Sequence, residues 1–171
     1  MRYVVIGCAL LAAPALAEVK SASAAGFELI NTAMITAPPE RVYAMLGEPA
    51  RWWNKGHTHS GDSANLRQEL KAGGCFCETI PADGATIEHG RVVYAQPGKV
   101  LRLHEALGPL QQEGVAAALT WSLKPFEGGT EVTQTYVVGG FVRGGADKFA
   151  PAVDRVMSEQ LKGLQAAFAK P

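Results

Sequence analysis

"ADKFAPAVDRVMSEQLKGLQAAFAKP", residues 146–171, spaces Phe149, Val153, Val156, Met157, Leu161, Leu164 and Phe168 mostly three or four apart. That is the period of an amphipathic helix with a broad apolar stripe. Pro151 is tolerated only in the first turn of such a helix, so the regular helix is expected to begin near Ala150. About 18 residues would make a rod of about 27 Å, long enough to lie across a whole sheet.

Upstream of this helix the period is two. "VAAALTWSLKP" puts Val115, Ala117, Leu119, Trp121 and Leu123 on one face of a strand. Six strands are expected, at about 65–71, 75–80, 85–95, 99–106, 114–125 and 130–139. Turn signals separate them: Gly73-Gly74, Asp83-Gly84, Pro97-Gly98, Gly108-Pro109 and Gly128-Gly129. "FELINTAMITA", residues 27–37, reads as a first strand. "PPERVYAMLGEPARWW" follows as a helix with Pro39 in its first turn, Glu40 at its positive end, and Val42, Met45 and Leu46 on its apolar face. Gly47 and Pro49 stop it. The expected fold class is α+β, a curved antiparallel sheet of six to seven strands wrapped around a long C-terminal helix. The two apolar surfaces must cover each other. A bent sheet cannot touch a straight helix everywhere, so a cavity is expected between them.

The chain's 171 residues suit one domain, with 47% hydrophobic and 19% charged residues. Residues 1–17, "MRYVVIGCALLAAPALA", join one positive charge, an apolar run and an Ala-Leu-Ala end, the pattern of a secretory signal peptide cut after Ala17. Residues 18–26, "EVKSASAAG", read as a flexible spacer, and 27–169 as the domain. The expected location is periplasmic or secreted. No apolar run is long enough to cross a bilayer as a helix, so no membrane insertion is expected after cleavage. The 16 basic and 16 acidic residues become 15 and 16 once Arg2 is removed, and no basic stripe points to nucleic acid. Nothing in the sequence sets the number of chains.

Cleavage would leave Cys75 and Cys77 as the only cysteines. On one strand they point the same way, about 6.6 Å apart, so a direct disulfide needs a bulge or turn. Paired thiols, metal ligands or a link to another chain are the alternatives. His57, His59, Cys75 and Cys77 offer nitrogen and sulfur that zinc accepts in a tetrahedron, but both pairs are spaced more tightly than structural zinc sites use. No metal and no cofactor is the expectation, with those four residues as the alternative ligand set. For acid–base chemistry the candidates are His57, Glu78 and His89, the last two able to meet across paired strands. His104 alternates with Leu101 and Leu103 and is expected to face solvent. No nucleophile elbow occurs, and Asp62 reads as a turn cap.

The order of elements resembles the SRPBCC or START-like superfamily, whose helix-grip fold serves lipid-transfer domains and polyketide cyclases. "ITAPPERVYAMLGEPARWW" is similar to the entry segment of heat-shock chaperone ATPase activator homologues, and the resemblance spans about 27–169. "HTHSGDSANL", "AGGCFCE" and "LGPLQ" resemble a smaller set of exported members, in which an aromatic often stands where this chain has His59. The chaperone role does not carry over to an exported protein. The resemblance implies a ligand cavity, with Trp53, Cys75, Cys77, Trp121, Tyr136, Phe149, Val153 and Met157 as its expected walls. "LGPLQQEG" is expected at the mouth, with Leu107 and Leu110 as a flap. The expected function is binding of a small hydrophobic or amphipathic ligand. An enzyme of the cyclase or dehydratase type and an interaction module with a filled pocket are the alternatives.

Overall fold

A computed structural model describes residues 16–169. Eight strands run in order: β1 Leu16–Ser23, β2 Gly26–Ile35, β3 Leu66–Gln68, β4 Cys75–Thr79, β5 Thr86–Gln96, β6 Val100–Glu105, β7 Gly114–Phe126 and β8 Gly129–Phe141. Helix α1, Pro39–Leu46, follows β2, and helix α2, Ala150–Ala166, closes the chain. One antiparallel sheet has the order β1-β2-β8-β7-β6-β5-β4-β3. The helix-grip architecture is therefore present, with one strand more than the six to seven expected.

The additional strand comes from the segment read as a spacer. Residues 18–23 pair with β2 instead of standing free, in register Glu18↔Ile30 to Ser23↔Gly26 with an irregularity between Val19 and Ser21. Their composition is weakly strand-forming. β2 nonetheless offers an unpaired edge, Val19 packs against the core, and α2 lies against both strands. Residues 1–15, which hold nearly all of the expected signal peptide, lie outside the described residues. Among the described residues no helix is long and apolar enough to cross a membrane.

The strands alternate as their sequences require. On β7, Ala117, Leu119, Trp121 and Leu123 are buried, and on β8, Val132, Tyr136 and Val138. Helix α1 buries Val42, Tyr43, Met45 and Leu46. Helix α2 begins at Ala150 with Pro151 in its first turn, where the missing N–H costs nothing. Its stripe divides along its length. Met157, Leu161 and Leu164 are fully buried against the sheet, whereas Phe149, Val153 and Val156, toward its beginning, are only partly covered. Gly163 allows the buried half to dock closely, because a Cβ there would run into the carbonyl oxygen of Trp52.

Two corrections concern the middle of the chain. Leu110 is no flap but a fully buried core residue at 0% exposure. Cys75 and Cys77 are neither free thiols nor separate ligands but are joined as a disulfide, with Cα atoms 5.5 Å apart. The register of β4 against β5 jumps between Phe76 and Cys77, so a bulge accompanies the bond.

Candidate functional site

Helix α2 stands away from the sheet where its stripe is only partly covered. The gap is a cavity of about 440 Å³. Phe149, Val153, Val156 and Met157 form its helical wall, and Leu107 and Pro109 the facing edge. The polar end comes from the irregular segment after α1, where Trp53, His57, Thr58 and His59 line the space, and from His89 on β5. Among the described residues no Lys, Arg, Asp or Glu side chain lines this cavity.

The irregular segment is tied to α2 at several points. The Asn54 backbone N–H donates to Gln160 Oε1 at 2.8 Å, and its side-chain amide donates to Glu159 at 3.3 Å. His57 Nε2 lies 2.8 Å from Glu159 Oε2, and that bond holds the Glu159 carboxyl below its usual range. Asp62 accepts from the Ala64 N–H, as expected of a turn cap. Trp53 donates its indole N–H to the His57 carbonyl at 3.1 Å, while its ring packs 5.1 Å from Phe76. Trp52 packs instead on Trp121 in the core.

Glu78 and His89 meet beneath this segment. Glu78 on β4 is completely buried, and its Oε2 lies 2.9 Å from His89 Nε2. It also accepts the backbone N–H groups of His59 and Ser60. Burial pushes the Glu78 carboxyl up, but the bonds from Ser60, His59 and His89 outweigh it and hold it at about 2. Burial holds the His89 imidazole below its ordinary value, only partly offset by Glu78. At neutral pH the pair is thus a carboxylate accepting from a neutral imidazole. Nε2 carries the proton, and Nδ1 keeps a lone pair. Such a group can accept a proton or a hydrogen bond from a molecule in the cavity.

The bulge explains why His89 faces inward. Phe76 pairs with Gly90 but Cys77 pairs with Glu88, so β5 spends one residue more than β4. His89 and Gly90 then share the inner face, while Glu88 and Arg91 stay exposed. On β4 the alternation continues, with Phe76 and Glu78 inward and Cys75 and Cys77 on the opposite face. The four residues of the alternative metal set therefore do not converge. Cys75, Cys77 and the Glu88 carboxylate instead lie within 4.8 Å of one another on the outer side of the sheet.

Of the expected wall residues, Trp53, Phe149, Val153 and Met157 line the cavity. Cys75, Cys77, Trp121 and Tyr136 do not, since the cysteines are buried on the face of β4 away from the cavity and the two aromatic side chains fill the core. Of the acid–base candidates, the structure joins Glu78 to His89 and places His57 in the same wall, bonded to Glu159. Two acids escaped notice. Glu159 sits on the helical period as the partner of His57. Glu105 is buried, and alternation with Leu101 and Leu103 in "VLRLHE" already put it on the inner face.

Residues 27–169 match the family described as polyketide cyclase / dehydrase and lipid transport. The chain belongs to that family. Solved structures agree on the fold of this polyketide cyclase/dehydrase family member. A protein of Rhizobium leguminosarum is 19% identical with a TM-score of 0.62, covering 93% of this chain and 100% of its own. One of Mesorhizobium loti is 16% identical at a TM-score of 0.60, covering 83% and 96%. One of Rhodobacter sphaeroides is 24% identical at 0.56, covering 90% and 98%. At these identities the likeness concerns the fold alone. No curated protein matches the chain significantly.

Proposed function

We propose that this protein is an exported carrier that holds a small amphipathic molecule between α2 and the sheet. One observation carries the reading: about 440 Å³ of space walled by Phe149, Val153 and Met157 lies open inside a fold that could have been packed solid. The apolar body of the ligand would lie along α2, and its polar end would meet His57, His59 and His89. A disulfide between Cys75 and Cys77 supports an oxidising compartment, periplasmic or extracellular. Native mass spectrometry of protein purified without added ligand tests the proposal. A copurifying apolar or amphipathic mass is expected, released on unfolding. Protein that stays bare, and binds no member of a panel of lipids and aromatic polyketide-like compounds, would refute it.

The Glu78–His89 pair favours a second reading, acid–base catalysis of the cyclase or dehydratase kind. The carboxylate fixes the imidazole with its proton on Nε2, so Nδ1 is the atom able to take a proton from a carbon beside a carbonyl. Exchange of such a proton for deuterium in a bound ketone, lost in His89→Gln, would separate this reading from simple carriage.

A further inference from the structure

Glu105 ends β6 on the face of Leu101 and Leu103, where it is 6% exposed. Neither carboxyl oxygen has a hydrogen-bond partner among the described residues. Burying a carboxyl with neither oxygen hydrogen-bonded is unfavourable. A leucine, as at the two preceding inward positions, would avoid that cost.

The surroundings keep space for this side chain. Its register partner is Gly90, and a Cβ at position 90 would stand 2.6 Å from Glu105 Cβ. Glycine therefore leaves the room that the carboxyl occupies. Glu105 also borders a second cavity of about 350 Å³, with Gly90, Ala106 and Gln111 beside it. His89 lines both cavities.

Most of the charged groups nearby are already paired. His57 is bonded to Glu159, Glu78 to His89, and Glu88 to Arg91, and no Lys or Arg lines either cavity among the described residues. A ligand carboxylate would find no lysine or arginine there, only imidazoles. Burial favours the protonated form of Glu105, and a neutral carboxyl both donates and accepts.

We propose that Glu105 is the polar anchor of the ligand site, hydrogen-bonding an uncharged hydroxyl or carbonyl oxygen of a molecule whose apolar body fills the main cavity. The inference rests on the carrier reading above and adds the class of ligand: neutral and oxygen-tipped, neither acid nor amine.

Three probes of one skeleton test it: 2-naphthol, 2-naphthoate and 2-naphthylmethylamine, followed by tryptophan fluorescence and calorimetry. Wild-type protein is expected to bind the naphthol best. Glu105→Leu should weaken naphthol about tenfold, the loss of one neutral hydrogen bond. Glu105→Gln, whose amide also donates and accepts, should stay within about threefold of wild type. Equal naphthol binding by a folded leucine variant would overturn the anchor and leave the carrier reading standing. So would the tightest wild-type binding going to the naphthoate or the amine. If the leucine variant does not fold, loss of naphthol binding in a folded glutamine variant overturns it instead. Failure of all three probes to bind wild type would overturn the anchor, while the carrier reading stands or falls on the wider panel of lipids and polyketide-like compounds.

Discussion

His89 Nε2 lies 2.9 Å from Glu78 Oε2, yet the two residues are not opposite each other, because Glu78 pairs with Ile87. The bulge on β5 turns His89 inward, and the bond runs diagonally between strands. Three donors converge on one buried carboxylate: His89 Nε2 and the backbone N–H groups of His59 and Ser60. Strand β4, strand β5 and the histidine-bearing segment are thereby pinned at a single point.

Removing that acceptor leaves the donors stranded. Glu78→Ala should destabilise the fold by about 3 kcal/mol or more, since three donors lose their acceptor at about 1–3 kcal/mol for each one left buried, as read from urea unfolding. A loss under about 1 kcal/mol would mean that water replaces the carboxylate freely.

Acid should weaken the protein in two stages. His89 folds with a value below 6.5, and Glu78 at about 2 against 4.5, so in both cases the unfolded chain binds more protons. Their stabilisation is complete above the unfolded values and fades as pH falls, first below about 6.5 and again from about 4.5 toward 2. In His89→Gln the first stage should disappear from a plot of unfolding free energy against pH.

Glu105 has the opposite sign. Burial raises its folded value, so the unfolded chain releases its proton first and stability is lost as pH rises above about 4.5. Glu105→Gln should therefore melt higher than wild type at about pH 8, and by a smaller margin at about pH 4. A margin independent of pH would show that the carboxyl is solvated.

The Cys75–Cys77 bond closes a very short loop, so chain-entropy reasoning limits its contribution to about 2 kcal/mol or less. Protein unfolded without reductant should show no free thiol from this pair. The Cys75→Ser/Cys77→Ser double variant should stay folded with a modest drop in melting temperature. Stoichiometric zinc, lost in that variant, would contradict the disulfide.

Val153→Trp should fill the cavity from its helical wall. We expect unchanged or slightly higher thermal stability together with at least a tenfold loss of 2-naphthol affinity, since the extra ring occupies ligand space. Unchanged affinity would place the ligand elsewhere.

Much of this was legible along the chain. The shift from period two to 3.6 located α2, Pro151 marked its first turn, and the turn glycines separated the strands near their observed ends. That Glu78 and His89 lie on paired strands, and that His104 points outward, also followed from strand order and alternation. Strand β1 did not, since residues 18–23 owe their conformation to a free edge on β2 rather than to their own propensity. Glu105 was readable by the same alternation that dismissed His104, but an acid on an apolar face runs against expectation.

By itself the sequence determined the element types, their order and the face each regular strand buries, because local period and turn chemistry act between neighbours. The tertiary structure alone decided which of those faces holds the disulfide and which holds His89. A bulge is a compromise between two paired strands, and one residue gained on β5 reverses the direction of the side chains beyond it. It also decided that α2 would be packed along one half and hollow along the other, which depends on how far the sheet bends away from a straight helix.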